Sequence, residues 1–299
     1  MLQQARPVLR WVGGKSWLVP RIAPGIMAYL SQTGGRYVEP FLGGGALALA
    51  LGRPGMLLGD VIADVIGCYQ AIRRHPEAVS WALNVLVAEG TDEASYYHVR
   101  ATQPHAPVVA AARLIYLNRL GYNGLYRTNR AGVYNVPYGH FTKFGRDEVG
   151  GLPSPVALKA IAAALATAAL CCQDFGVTIA GATAGDVIFC DPPYVGTFVN
   201  YSKDGFSVVD QQRLAAALRA ADHRGAAVVL TQTDCPEVRA AYSWATILPT
   251  AELRRVNRDA SRRGPVSCVL VSNVPELVQE GGREGGGAEV IDAPHCAQR

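Results

Sequence analysis

Apolar residues fall along this chain in short blocks, several of which end on a glycine, a proline or an acid. Blocks at residues 36–40, 55–60, 168–172, 186–190, 226–232, 244–248 and 266–273 are rich in Val, Ile, Leu, Phe and Cys and too short for helices, so they predict strands. Ala/Leu-rich stretches with helical spacing lie between several of them, at 46–51, 155–167 and 209–223. This alternation predicts an α/β fold, a doubly wound sheet with helices on both faces. The rhythm breaks between 61 and 149. Helical patterns at 61–74, 77–88 and 108–120 lead there into a Gly-, Asn-, Tyr- and Pro-rich loop at 121–144. The interval falls between the second and third strands and predicts an inserted helical subdomain. Residues 1–60 and 150–279 then form one unit, 61–149 the insertion, and the glycine-studded, aperiodic stretch 280–299 a disordered tail.

Composition narrows the class. A chain of 299 residues at 49% hydrophobic can bury one substantial core with an inserted subdomain. Mean hydropathy is +0.12, inflated by alanine, and no uncharged apolar run approaches the ~20 residues of a membrane span. Arg6 and Arg10 interrupt any apolar leader, so no signal peptide is expected. Seven cysteines, with Cys171 and Cys172 adjacent and no CxxC pair, predict reduced, mostly buried thiols in a cytoplasmic setting and no zinc site. The six histidines show no ligand spacing, and no metal is expected. Net charge is only +4, but Arg113, Arg119, Arg127, Arg130, Lys143 and Arg146 cluster, as do Arg254, Arg255, Arg258, Arg262 and Arg263. Either cluster alone reads as a solvated face; two together, interleaved with Asn, Ser and Tyr, predict phosphate contacts.

The strand at 186–190 runs directly into Asp191-Pro192-Pro193-Tyr194. Prolines cannot donate ladder hydrogen bonds, so the sheet stops and the chain turns there. An acid, free carbonyls and a flat ring are left at the carboxyl end of a strand, where open α/β sheets hold ligands. Together they describe a receptor for an aromatic amine; the plainer reading is a turn with an interface tyrosine.

A glycine turn, Glu39-Pro40-Phe41-Leu42-Gly43-Gly44-Gly45, follows the first strand, and Asp60 ends the second. Glycines at a strand-to-helix turn let backbone pass close to a ligand, and an acid at the second strand end can accept both hydroxyls of a ribose. The turn lacks the dinucleotide spacing and any Lys-Ser/Thr pair, so a nucleoside cofactor without phosphates fits, S-adenosylmethionine foremost. A structural turn and a surface acid would look the same from spacing alone. Ahead of the first strand, Trp11 beside Gly13-Gly14-Lys15 is either a core edge or a stacking face and donor for a zwitterionic cofactor tail.

These segments, in this order, resemble the Dam-like family of DNA adenine-N6 methyltransferases of the D12 class, in the α motif order. The resemblance runs through Arg10-Trp11-Val12-Gly13-Gly14-Lys15, the glycine turn, Leu58-Gly59-Asp60, Leu117 to Arg127, Asn135-Val136-Pro137-Tyr138-Gly139 and Asp191 to Tyr194. It implies a Rossmann-like methyltransferase sheet, S-adenosylmethionine as cofactor and double-stranded DNA as partner, in a bacterial or phage-infected cell. It implies Trp11, Lys15, Glu39, Phe41, Gly43, Gly45, Asp60 and Asp191 as cofactor contacts, with Asp174 and Phe175 near the adenine. Asp191, Pro192, Pro193 and Tyr194 become the catalytic motif, and Arg10, Tyr122, Asn123, Arg127, Asn135 and Tyr138 the DNA contacts. The chain departs from the family's usual Asp-Ile-Asn at Asp60-Val61-Ile62, and diverges at His140-Phe141-Thr142-Lys143-Phe144.

The implied chemistry suits these side chains. Adenine's exocyclic amine is a poor nucleophile, and the Asp191 carboxylate with the Pro192 carbonyl could bind both of its hydrogens. The base must leave the duplex stack, with Tyr194 to stack on it and Tyr122 to fill the gap. Arg127 suits guanine and Asn123 adenine or a phosphate. The plainer reading of Tyr122, Asn123 and Arg127 is a glycine-flanked turn on the insertion's surface. Methylation of another planar amine (cytosine N4, RNA adenine or a glutamine amide) and a silent DNA-binding homologue stay open as alternatives. GATC is the expected target and a monomer suffices, while an orphan, phage or restriction–modification role is not readable.

Overall fold

Alternate residues of the strands point to opposite faces, and both faces of this sheet are apolar. The computed structural model describes residues 5–139, 152–194, 206–254 and 264–278, with side chains of 251–266 left aside. The predicted tail, residues 140–151 and the second basic cluster beyond Arg254 lie outside the described residues.

In chain order the elements are α1 (Val19–Thr33), β1 (Tyr37–Glu39), α2 (Ala46–Leu51), β2 (Leu57–Asp60), α3 (Ala63–Arg74), α4 (Pro76–Glu89), α5 (Glu93–Ala101) and α6 (Pro107–Leu120). After a 3-10 turn at Tyr122–Gly124 come α7 (Pro155–Ala164), β3 (Ala169–Cys172), α8 (Phe175–Ala180), β4 (Val187–Cys190), α9 (Val208–His223), β5 (Ala227–Thr233), α10 (Pro236–Ala241), β6 (Thr246–Arg254) and β7 (Gly264–Ser272).

The strands form one seven-stranded sheet in the order β3-β2-β1-β4-β5-β7-β6. The first five pair in parallel, and β7 runs antiparallel to both β5 and β6. Tyr37, Val187, Phe189 and Val229 face a core shared with α1, α3, α4 and α6. Their neighbours Val38, Ile188, Cys190 and Val228 face a second core with α8, α9 and α10. The sheet is therefore doubly wound, as the alternation predicts. Chain order runs outward from β1 through β2 to β3 and then returns to β4, so a topological switch point lies between β1 and β4.

Strand positions match the expectation closely, except that β6 extends well beyond residue 248. Four helices escape the sequence reading: α1, α5, α8 and α10. In α1, Pro20 sits in the first turn and Pro24 inside the helix, which hides the buried stripe Ile22, Ile26 and Leu30. Cys68, Cys190 and Cys268 are buried, but Cys172 is exposed and Cys171 and Cys235 are partly so; none of these is disulfide-bonded. Among the described residues no helix is long and apolar enough to cross a membrane.

Candidate active site

Beyond β1 the backbone must turn sharply to enter α2, and two glycines make this possible with φ of 46° at Gly43 and 65° at Gly45. Gly43 is needed twice over, because a Cβ there would lie 2.6 Å from Nε1 of Trp11, whose ring rests on the turn. The Gly43 amide donates to Oδ2 of Asp60 at 2.8 Å, and the Ile62 amide to Oδ1 at 2.9 Å. Asp60 thus stitches the glycine turn to the start of α3. Burial raises its carboxyl above the usual range, against the pull of those amides. The family's usual Asn is replaced by Ile62, which flanks α3 without a side-chain cap, and Asp60 supplies the local hydrogen bond instead.

Glu39 ends β1 wholly buried and accepts from the Tyr37 hydroxyl at 2.8 Å. Burial pushes its carboxyl up to about 8, and the neighbouring Asp191 charge adds to the rise. Burial thus favours the protonated form of this side chain. On the other face of β1, Phe41 stacks on Phe175 with centroids 5.4 Å apart, and Phe206 meets Phe41 edge-on at 5.8 Å. Asp174 caps α8 through the Gly176 amide and pairs with Arg213 at 2.9 Å.

Asp191 stands at the end of β4, beside β1 across the switch point. Lys15, only 5% exposed, places Nζ 2.9 Å from Asp191 Oδ1 and 4.9 Å from the centroid of the Tyr194 ring. The Thr231 hydroxyl donates to the same Oδ1 at 2.6 Å. Gln211 and Gln232 both donate to the Pro193 carbonyl, at 2.9 and 3.5 Å. Among the described residues no hydrogen bond ends on the Pro192 carbonyl. The Asp60 carboxylate, the Phe41–Phe175 rings, the Lys15 ammonium and the Asp191–Pro192 acid–carbonyl pair so lie around the carboxyl ends of neighbouring strands β2, β1 and β4.

Comparison with known proteins decides the class. The sequence pattern of the family described as D12 class N6 adenine-specific DNA methyltransferase matches residues 11–256. The chain belongs to that family. It is 32% identical to the retron Ec67 DNA adenine methylase of Escherichia coli over 79% of this chain and 80% of that protein. A DNA adenine methylase of Vibrio cholerae is 30% identical over 92% of this chain and 99% of its own length. The DNA N-6-adenine-methyltransferase of Escherichia phage P1 is 33% identical over 89% of this chain, which spans 35% of that longer protein. The chain is thus an enzyme that methylates N6 of adenine in DNA with S-adenosylmethionine as methyl donor.

In this methyltransferase the residues expected at DNA divide into two groups. Tyr122, 46% exposed, and Asn123, also exposed, crown the 3-10 turn, where Asn123 adopts a left-handed φ of 54°. Arg10 lies against that turn so closely that a Cβ on Gly124 would sit 2.4 Å from its own Cβ. The Arg127 guanidinium, by contrast, is engaged by the Asn135 side chain at 2.6 Å and its carbonyl at 3.0 Å, and the Tyr138 hydroxyl donates to the Thr91 carbonyl. The basic cluster needs correction. Arg119 donates to the carbonyls of Val8 and Pro7, and Arg113 to those of Val99 and Arg100, so both brace the fold from within.

Asn118 is the residue that motif reading passed over. Buried in α6, it accepts from the Arg10 amide at 2.7 Å and donates to the carbonyls of Arg10 and Gly124, both at 3.0 Å. It ties the segment carrying Trp11 and Lys15 to the turn carrying Tyr122. A polar side chain inside the apolar run Leu114 to Leu120 was the available signal. Thr231, Gln232 and Gln211 gave none, since each sits in an ordinary strand or helix pattern.

Proposed function

We propose that Asp191 and the Pro192 carbonyl together receive the exocyclic amine of an adenine flipped out of duplex DNA, and that Tyr194 stacks on its ring. The observation carrying this reading is that Asp191, anchored at Oδ1, ends β4 beside β1 at the switch point. Accepting both N–H hydrogens draws the nitrogen toward a tetrahedral shape and aims its lone pair at the methyl donor. The Pro193 carbonyl is already engaged by two glutamines, which favours Pro192 as the second acceptor. No covalent enzyme intermediate is needed; orientation and preorganised charge carry the rate.

The cofactor fits the residues present. Asp60 would hold the ribose, Phe41, Phe175 and Asp174 the adenine side, and Trp11, Lys15 and Glu39 with Gly43 and Gly45 the remaining wall. S-adenosylmethionine, when bound, supplies an electrophilic sulfonium methyl. Residues 61–149 would serve as the target-recognition insertion, with Arg10, Tyr122, Asn123, Arg127, Asn135 and Tyr138 toward DNA. We assign GATC as target and a monomer as working form, in the cytoplasm of a bacterial or phage-infected cell.

Transfer of tritiated methyl to unmethylated duplex, followed by mapping of N6-methyladenine, tests both parts. Asp191→Ala should lower the rate by about 10²–10³-fold, as loss of a preorganised group does. Undiminished transfer by that variant would remove Asp191 from the chemistry, and methylation outside GATC would overturn the target.

A further inference from the structure

The turn that carries the acceptor acid contains two prolines. Pro192 and Pro193 contribute no N–H, so the two residues that follow Asp191 cannot donate to its carboxylate. A major restraint comes from the neighbouring strand. The last β4–β5 register pair is Cys190 with Leu230, which sets Thr231 alongside Asp191. Thr231 is 1% exposed and donates its hydroxyl to Asp191 Oδ1 at 2.6 Å. Its β-branched side chain has few rotamers, so the hydroxyl is held in direction as well as distance. Gln232, equally buried, reaches the Pro193 carbonyl, and its amide also donates to Gln211 Oε1 at 3.3 Å while Gln211 donates to that same carbonyl. The preceding residues of β5, Val228, Val229 and Leu230, are wholly apolar. Two buried polar side chains in succession cost stability unless their hydrogen bonds are made, and here those bonds converge on the acid–proline turn.

We propose that Thr231 is a positioning residue for methyl transfer, setting the Asp191 carboxylate in the orientation that receives the amine, while Gln211 and Gln232 fix the following carbonyl. This role rests on Asp191 being the amine acceptor. Without the Thr231 hydroxyl the carboxylate would keep its ion pair with Lys15 at Oδ1 but lose the contact from β5 that sets its orientation, and misplacement of about 1 Å can cost 10²-fold in rate.

The experiment compares the full-length protein with Thr231→Val, Thr231→Ser, Asp191→Asn and the Thr231→Val/Asp191→Asn double variant. It measures kcat and KM on duplex DNA, S-adenosylmethionine affinity and melting temperature. Thr231→Val should lower kcat by about 10–10²-fold with cofactor affinity nearly unchanged, and Thr231→Ser, which keeps the hydroxyl, should restore most of it. In the Asp191→Asn background Thr231→Val should cost almost nothing more, because the two act as one unit. Equal losses in both backgrounds, parental kcat in Thr231→Val, or a Thr231→Ser variant as slow as Thr231→Val would each overturn the proposal. Parental transfer by Asp191→Asn would instead remove Asp191 from the chemistry and this role with it. Should Thr231→Val not accumulate folded, Thr231→Cys takes its place: a kcat below that of Thr231→Ser supports the role, and a parental kcat overturns it.

Discussion

Glu39 shows how burial at a strand end favours a carboxyl's protonated form. A carboxyl pushed up to about 8 keeps its proton in the folded state where the unfolded chain, near 4.5, has lost it. The stability this contributes is complete below the unfolded value and drains away as pH rises through the folded one. Glu39→Gln mimics the protonated form and can still accept from Tyr37, so it should flatten that decline. Thermal melts between pH 5 and 8 should show the gap between variant and parent widening in the variant's favour, by on the order of 1 kcal/mol per pH unit. A parallel pair of curves would mean that Glu39 is ionised throughout. Residues of this kind were half legible. The acids at strand ends announced themselves because a charge following an apolar run is conspicuous. Thr231 and Gln232 did not, because their significance lies in what stands beside them on another strand.

At the scale of elements, the glycine turn between β1 and α2 is the most sharply constrained piece of backbone. Gly43→Ala would force a left-handed φ on an alanine and drive its Cβ into the Trp11 indole. The strain of about 1–2 kcal/mol leaves a folded protein, but the turn must move. Titration with S-adenosylmethionine should show affinity reduced by at least about tenfold, each tenfold being about 1.4 kcal/mol. Unchanged affinity would place the cofactor away from this turn. Helix legibility followed length and composition. α2, α3, α4, α6, α7 and α9 stood out as Ala/Leu-rich or periodic runs. α8 (Phe175–Ala180) and α10 (Pro236–Ala241) are too short for a period to emerge, and the prolines of α1 argue locally against a helix that burial of Ile22, Ile26 and Leu30 secures.

For the whole molecule, strand–helix alternation made the doubly wound sheet readable, since each block had to be covered on both faces. Placing β7 between β5 and β6 was beyond sequence pattern, because pairing partners depend on distant register rather than on local periodicity. The two-faced core also sorts the cysteines. Under native conditions a small maleimide should label Cys172, whereas Cys68, Cys190 and Cys268 should react only after denaturation, as peptide mass mapping can show. Burial pushes the Cys68 thiol up to about 12, which further slows its reaction. Labelling of Cys190 in the folded protein would contradict the packing beneath Asp191. The pairing of Val38 with Ile188 has one more consequence, which concerns time. The glycine turn and Asp60 leave the ribosome early, but β4, which must lie beside β1, is synthesised only after α3 through α8. The proposed site therefore cannot assemble on a nascent chain until β4 and β5 have emerged, and a prematurely terminated product would carry Asp60 and the glycine turn without Asp191 and Thr231.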